Sequence, residues 1–473
     1  QNSLFELQMR NTYARNLIHK YGINKNPLML QRCDKLWILR IIFFLVLVVM
    51  IINLSRYDVK RFRKVLLDAV VTNETAIPDA IGILRFRPEV AHVDCARLFQ
   101  NDVDYMKKIA QNRSALKPEE HLNMSCESIK ERILPPRNPN SNYPILYARL
   151  VHKDYEFIEE QLATNYASEN VYCFSIDKKA SDDFHNRIKS LQKCLPNIIV
   201  SQDERILDLA GHNQNQAHID CMRAMRNQSW NYAVLLQNHD VLIRTHAEMT
   251  EILEIYGGAN DMSVRSSPES RVSSIEKNLG KLDLCSKYLT ASDLANCTST
   301  QIQWGKGYMQ VILSRSAVLY ILDNINIYPI MNKLNAKPYG VDEILFQSLH
   351  ITPEIRLPGG FHYKCREQPA QHISRISLWS PGKQCASGYV RHNICVYGVE
   401  HLPFLAESKF VIANKMMPDF DHAVTSCISE MLYNRTRDGH TIDKKYYENI
   451  NTVRYHRERN LPGFSIDKFK CKL

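Results

Sequence analysis

The chain lacks the short signatures of the commoner nucleotide and metal chemistries. It has no GxxxxGK[ST] phosphate loop, no GxGxxG turn, no HExxH helix and no pair of CxxC motifs. P-loop hydrolysis, dinucleotide binding through a glycine-rich turn, zincin proteolysis and zinc-ribbon folding are therefore excluded. It also lacks internal repeats and long low-complexity tracts, which excludes solenoids and linker-like disorder. The body of the chain lacks net charge as well. The total is +10 over 473 residues, but twelve Lys/Arg against three Asp/Glu fall within residues 1–64. The remainder is nearly neutral, so it offers no basic stripe of the kind that reads nucleic acid.

The basic end holds a long apolar run, Leu36–Leu54 (LWILRIIFFLVLVVMIINL). As a helix it would extend about 28 Å, close to the hydrocarbon thickness of a bilayer. Arg40 lies near its start and can snorkel beside Trp37. The run follows 35 polar, basic residues, which is too late for a cleaved signal peptide and predicts an uncleaved anchor. Lys/Arg flank it on both sides, so charge orients it weakly. Asn-x-Ser/Thr acceptors at Asn73, Asn112, Asn123, Asn227, Asn296 and Asn434 all follow it, as do twelve of thirteen cysteines. An even cysteine count suits disulfides in an oxidising lumen, with Cys33 left on the cytosolic side. The expectation is a cytosolic tail over 1–35, a membrane span over 36–54 and a luminal body.

Residues 55–140 read as a stem and entry segment ending in the loop signal LPPRNPNSNYP. Residues 141–435 read as the main domain, with 436–473 packed on it or trailing. Apolar runs at Ile145–Val151, Val171–Ile176, Asn197–Val200 and Tyr232–Gln237 alternate with helical stretches at Tyr155–Tyr166, Asp182–Leu191 and Gln214–Arg226. That alternation predicts βαβ units and a mainly parallel sheet. Ligands on such sheets bind beyond the carboxyl ends of the strands, where Val151, His152, Asp177 and Asp240 fall. Asp-x-Asp, a common metal–nucleotide grip, occurs as Asp102-Val103-Asp104 and Asp419-Phe420-Asp421. Neither follows a parallel strand, and both read as solvated carboxylates on a helix face.

Tyr339-Gly340-Val341-Asp342-Glu343 resembles the Tyr-Ser-Pro-Asp-Glu stretch of the core 2/I-branching β-1,6-N-acetylglucosaminyltransferases. CVYGVEHLPFL with FVIANKMMPDFDHAVTSCISEML is similar to that family's Cys-Ile-Phe-Gly…Ala-Asn-Lys…Cys block. YARLVHKDYEFIEEQL and VYCFSIDKKA follow family order upstream, so the resemblance covers roughly residues 90–435. It implies a GT-A-like, Rossmann-type, disulfide-stapled α/β domain behind one transmembrane helix, as a single-pass type II Golgi protein. It implies UDP-GlcNAc as donor, a glycan or glycoprotein acceptor, no cofactor and no metal.

Carried over residue by residue, the resemblance makes Glu343 the catalytic base. Lys415 and Arg391, or His392 in place of Arg391, would grip the diphosphate. Asp177 would hold the uridine or ribose, Val151 and His152 would line the donor pocket, and Trp379 would form an acceptor platform. The implied disulfides are Cys95–Cys427, Cys126–Cys194, Cys173–Cys221 and Cys385–Cys395. Parity alone adds Cys285–Cys297 and Cys365–Cys471. Glu343 has a simpler reading as a carboxylate at a helix N-terminus, and Lys415 one as a solvated lysine.

Leu207–Cys221 (LDLAGHNQNQAHIDC) departs from the family's aromatic donor segment, and Gln237 replaces its free thiol. These departures motivate an alternative to an N-acetylglucosaminyltransferase, an inactive luminal glycan- or nucleotide-sugar-binding protein on the same fold; a related xylosyltransferase and a plasma-membrane adhesion or receptor ectodomain are the other rivals.

Overall fold

The computed structural model describes residues 87–134, 142–285, 290–365, 372–380 and 385–471. The expected cytosolic tail, the membrane span over 36–54, Cys33 and Asn73 lie outside them. No helix among the described residues is long and apolar enough to cross a membrane.

The centre is a five-stranded sheet. Its strands are β1 (Ile145–Val151), β2 (Val171–Ile176), β3 (Ile198–Val200), β4 (Tyr232–Leu236) and β8 (Ile312–Ser314), in the order β3-β2-β1-β4-β8. β1, β2, β3 and β4 run parallel, and β8 closes one side antiparallel to β4. Every residue of β1, β2 and β4 is buried, as continuous apolar runs sandwiched on both faces require. Alternation assigns the faces. Ile145, Tyr147, Tyr172, Phe174 and Val234 enter one core, and Leu146, Ala148, Cys173, Ala233 and Leu235 enter the other.

Helices α1 (Cys95–Phe99), α2 (Val103–Gln111) and α3 (Cys126–Ile133) precede the sheet. Their Leu98, Met106, Ile109, Ile129 and Ile133 belong to the first core, so this entry segment packs with the main domain. Helix α4 (Tyr155–Asn165) joins β1 to β2, and α5 (Asp182–Cys194) joins β2 to β3. Helix α6 (Gln214–Ala224) precedes β4 and is strapped to β2 by Cys173–Cys221. Helix α10 runs from His422 to Asp438, after α7 (His246–Tyr256), α8 (Arg315–Asn324) and α9 (Leu345–Ile351). Tyr447, Ile450 and Val453 bury the C-terminal segment in the first core. All six expected disulfides are present, including the two inferred from parity.

Candidate active site

The carboxyl ends of β1, β2 and β4 form the floor of the site. Val151 is fully buried, and its carbonyl accepts the Asp177 N–H at 2.9 Å. Asp177 Oδ1 accepts the N–H groups of Lys179 (3.0 Å) and Leu207 (3.3 Å), tying the strand end to the next loop. His152 is exposed at the lip, its N–H donating to Asn238 Oδ1 at 2.8 Å. Asp240 is completely buried. Its Oδ1 accepts from Asn414 Nδ2 at 2.7 Å, and its Oδ2 from the Gln237 N–H at 2.6 Å and Gln310 Nε2 at 2.8 Å. The antiparallel pair β5 (Val241–Leu242) and β11 (Ile412–Ala413) then delivers Lys415 to this edge.

Lys415 is pushed down to about 8, first by burial and then by Arg375 and Arg391. Arg375 is buried too, its Nη1 donating to Gln310 Oε1 at 2.8 Å and its Nε to Ser377 Oγ at 2.7 Å. Its guanidinium lies 4.5 Å from the centre of the Tyr308 ring. Arg391 sits on a hairpin of β9 (Val390–Arg391) and β10 (Ile394–Cys395), closed at its base by Cys385–Cys395. The two turn residues His392 and Asn393 take φ of 52° and 62°, the left-handed pair that a tight hairpin demands. Arg391 Nη1 lies 3.4 Å from Met417 Sδ, two residues past Lys415, whereas His392 stands exposed at the tip. Three cations therefore gather at one edge, with the buried Asp240 carboxylate acting on Arg375 and Lys415.

Glu343 follows a turn pinned to the loop after β3. The Ala210 carbonyl accepts the N–H groups of Gly340 (2.7 Å) and Val341 (3.2 Å). Gly340 takes φ +65°, which favours glycine, and a Cβ there would displace the Arg271 guanidinium and lie 3.1 Å from Glu343 Oε2. Lys306 Nζ stands 2.8 Å from Glu343 Oε2 as an ion pair whose angles make no hydrogen bond. Helix α9 begins only at Leu345, so Glu343 lies outside its first turn. Asp342 beside it is pushed up to about 7 by burial and then by the Glu343 charge. Trp379 is 37% exposed and donates Nε1–H to the Tyr308 hydroxyl at 2.9 Å, with the two rings parallel. Tyr308 thus joins the expected platform to Arg375.

Lys306, Tyr308, Gln310 and Arg375 are the members that sequence reading missed. RISLW drew notice only for its tryptophan, and GKGYMQ carries no motif. Gln214 of the polar 207–221 segment meets Gln237: Gln237 Nε2 donates to Gln214 Oε1 at 2.6 Å, and Gln310 Nε2 to Gln237 Oε1 at 3.0 Å. The substitutions form one amide chain that ends on Arg375.

The two Asp-x-Asp motifs differ: Asp102 and Asp104 are solvent-accessible at the start of α2, as expected, whereas Asp421 of the second is buried. Asp102 caps α2 through the Tyr105 N–H and pairs with Arg97. Asp421 is buried against Arg113, which also binds Glu400. Of the expected glycosylation sites, Asn112, Asn123, Asn227 and Asn296 are exposed and Asn434 is half-buried.

A mainly parallel α/β sheet with a carboxylate and buried cations at its carboxyl edge suits group transfer from a phosphate-linked donor. The family model for Core-2/I-Branching enzymes matches residues 145–406, more than half of the chain, and the chain belongs to that family. It is similar to the human β-1,3-galactosyl-O-glycosyl-glycoprotein β-1,6-N-acetylglucosaminyltransferase, with 24% identity over 72% of this chain and 85% of that protein. The Bos taurus protein of the same name is 25% identical over 72% and 85%. The Rattus norvegicus protein named as number 3 of that series is 24% identical over 69% and 77%.

Proposed function

We propose that this chain moves N-acetylglucosamine from UDP-GlcNAc to a 6-hydroxyl of a glycan, with inversion and with no metal at the diphosphate. The observation that carries the reading is the meeting of Glu343 with Arg375, Lys415 and Arg391 around one edge. The relatives' names support the transferred sugar and the 6-linkage.

Inverting transfer is a single in-line displacement. Glu343 takes the proton of the acceptor hydroxyl as its oxygen attacks the anomeric carbon. The anomeric C–O bond breaks at the same time, and UDP departs with the bonding pair. Its growing charge meets Lys415, Arg391 and Arg375, fixed beforehand in a partly desolvated pocket where each is worth more than in water. Lys415 stays protonated at neutral pH, so it can serve as a phosphate cation despite its burial. Asp102 caps α2 and Asp421 is buried against Arg113, which supports these cations, rather than an Asp-x-Asp metal, as the partners of the diphosphate. Asp177 and the loop it ties to Leu207 lie at the edge where uridine and ribose would rest. The same reading makes the body luminal in the Golgi behind a type II anchor, in keeping with twelve paired cysteines.

The test is acceptor-dependent UDP release from UDP-GlcNAc in EDTA, beside Glu343→Gln. Transfer is expected to survive EDTA and to fall by roughly 10²–10⁴-fold in the variant, with UDP affinity kept. Activity lost in EDTA and restored by a divalent metal would refute the metal-free part. Full activity in Glu343→Gln would refute the base.

A further inference from the structure

Resting on that transferase reading, we propose that the acceptor is an anionic glycan, whose carboxylate or sulfate is received by Arg265 and Lys306 beside the base.

The observation is a ribbon of two short antiparallel strands, β6 (Arg265–Ser266) and β7 (Gly305–Lys306). Its register sets Arg265 directly opposite Lys306, so both side chains leave the same face. Lys306 fixes which face that is, because its ammonium reaches Glu343 Oε2 at 2.8 Å. Two like charges placed opposite each other repel, and sheets normally pair such a position with the other sign. Here no carboxylate among the described residues pairs with Arg265, which is exposed. Among the described residues Lys306 has one ion-pair partner, Glu343, the carboxylate that must be free to take a proton, and the Asp342 carboxyl near it is buried and pushed toward its neutral form. Arg271 adds a third cation, donating to the Tyr339 carbonyl while lying 5.1 Å from the Tyr339 ring centre. The approach to Glu343 is therefore short of negative charge by at least one group.

The same approach is lined with aromatic faces. Tyr339 is 54% exposed, and Trp379 with its parallel Tyr308 stands beyond. Aromatic planes suit the apolar faces of sugar rings, and guanidinium with ammonium suits an oxyanion, which together favour an acidic saccharide over an acidic peptide. The arrangement also links recognition to chemistry. An acceptor anion that draws Lys306 away from Glu343 removes the base's counter-charge as the hydroxyl arrives, and so strengthens the base only when the right acceptor is bound.

The experiment uses acceptors that share one reacting sugar and differ in its neighbour, which is neutral, carboxylated or sulfated. With UDP-GlcNAc at low salt, kcat/KM for one anionic acceptor should exceed that of the neutral one by roughly tenfold or more. The preference should shrink at high salt and vanish in Arg265→Gln, whose rate on the neutral acceptor is unchanged. The carboxylate and sulfate arms identify which group is read. An anionic acceptor no better than the neutral one overturns the proposal and leaves the transferase reading standing, as does a preference that survives Arg265→Gln. An acidic peptide preferred to both glycans overturns it too. If no acceptor is glycosylated, the readout becomes the unfolding temperature with each oligosaccharide alone. Arg265-dependent stabilisation by an anionic one upholds the site and counts against transfer, whereas no stabilisation by any overturns the site.

Discussion

Asp342→Asn should make the protein more stable at neutral and alkaline pH, although it removes a charged group next to the base. The carboxyl is buried, and its pKa moves from 3.8 to about 7, chiefly through lost hydration and next through the Glu343 charge. The unfolded chain releases this proton near pH 4 and the folded chain near pH 7, so the folded state binds more protons between them. Stability therefore falls as pH rises through that window and levels off above it. Each pH unit of separation corresponds to ~1.4 kcal/mol, so the cost approaches roughly 4 kcal/mol by pH 8 and drops below ~1 kcal/mol near pH 4. Asparagine fills the same space without the charge. Urea unfolding of parent and variant from pH 4 to 8 should show a gap that opens with pH, to roughly 2–4 kcal/mol after local relaxation. In a Glu343→Gln background the gap should be smaller, because the second cause is gone. A difference that stays constant across the range would refute the reasoning.

Other expectations concern the donor side and the frame. UDP affinity should hold below pH 7 and weaken by about tenfold per unit above pH 8, as Lys415 loses its proton. Lys415→Arg should move that break far upward, since guanidinium stays charged; calorimetric titration with UDP reads both. Arg113→Ala should cost roughly 3–5 kcal/mol by leaving Asp421 buried and unpaired, with Asp421→Asn in the same chain restoring part of the loss in thermal unfolding. Replacing Cys385 and Cys395 together by serine should cost up to about 3 kcal/mol through the closed loop and raise the Kd for UDP, because the hairpin carrying Arg391 loses its clasp.

The parallel strands were legible because β1, β2 and β4 are almost wholly apolar, broken only by Arg149 and Ser175, a pattern that burial on both faces explains. Glu343 and Lys415 were singled out because their neighbours, Asp342 beside Glu343 and Ala413-Asn414 before Lys415, keep a recognisable order, and the fold sets both within reach of Arg375. Arg375 and Lys306 were not legible. Their roles come from meeting Gln310, 65 residues away, and Glu343, across two separate chain segments, and nothing local marks them. The second Asp-x-Asp misled for the same reason in reverse. Spacing suggested a solvated pair, but Asp421 found Arg113 from 308 residues away and went inside. Charged residues declare their partners only after folding, whereas apolar runs declare their burial before it.

The bond between Cys95 and Cys427 gives the domain a mechanical property as well as a thermodynamic one. It closes a separation of 332 residues, with the whole sheet and the site strung between its ends. Drag on the chain ahead of Cys95 is passed covalently to the middle of α10, and the strands in between carry little of it. Load entering from that end thus has a covalent path to α10 that bypasses the register of β1 against β2, the strands that form the floor of the site.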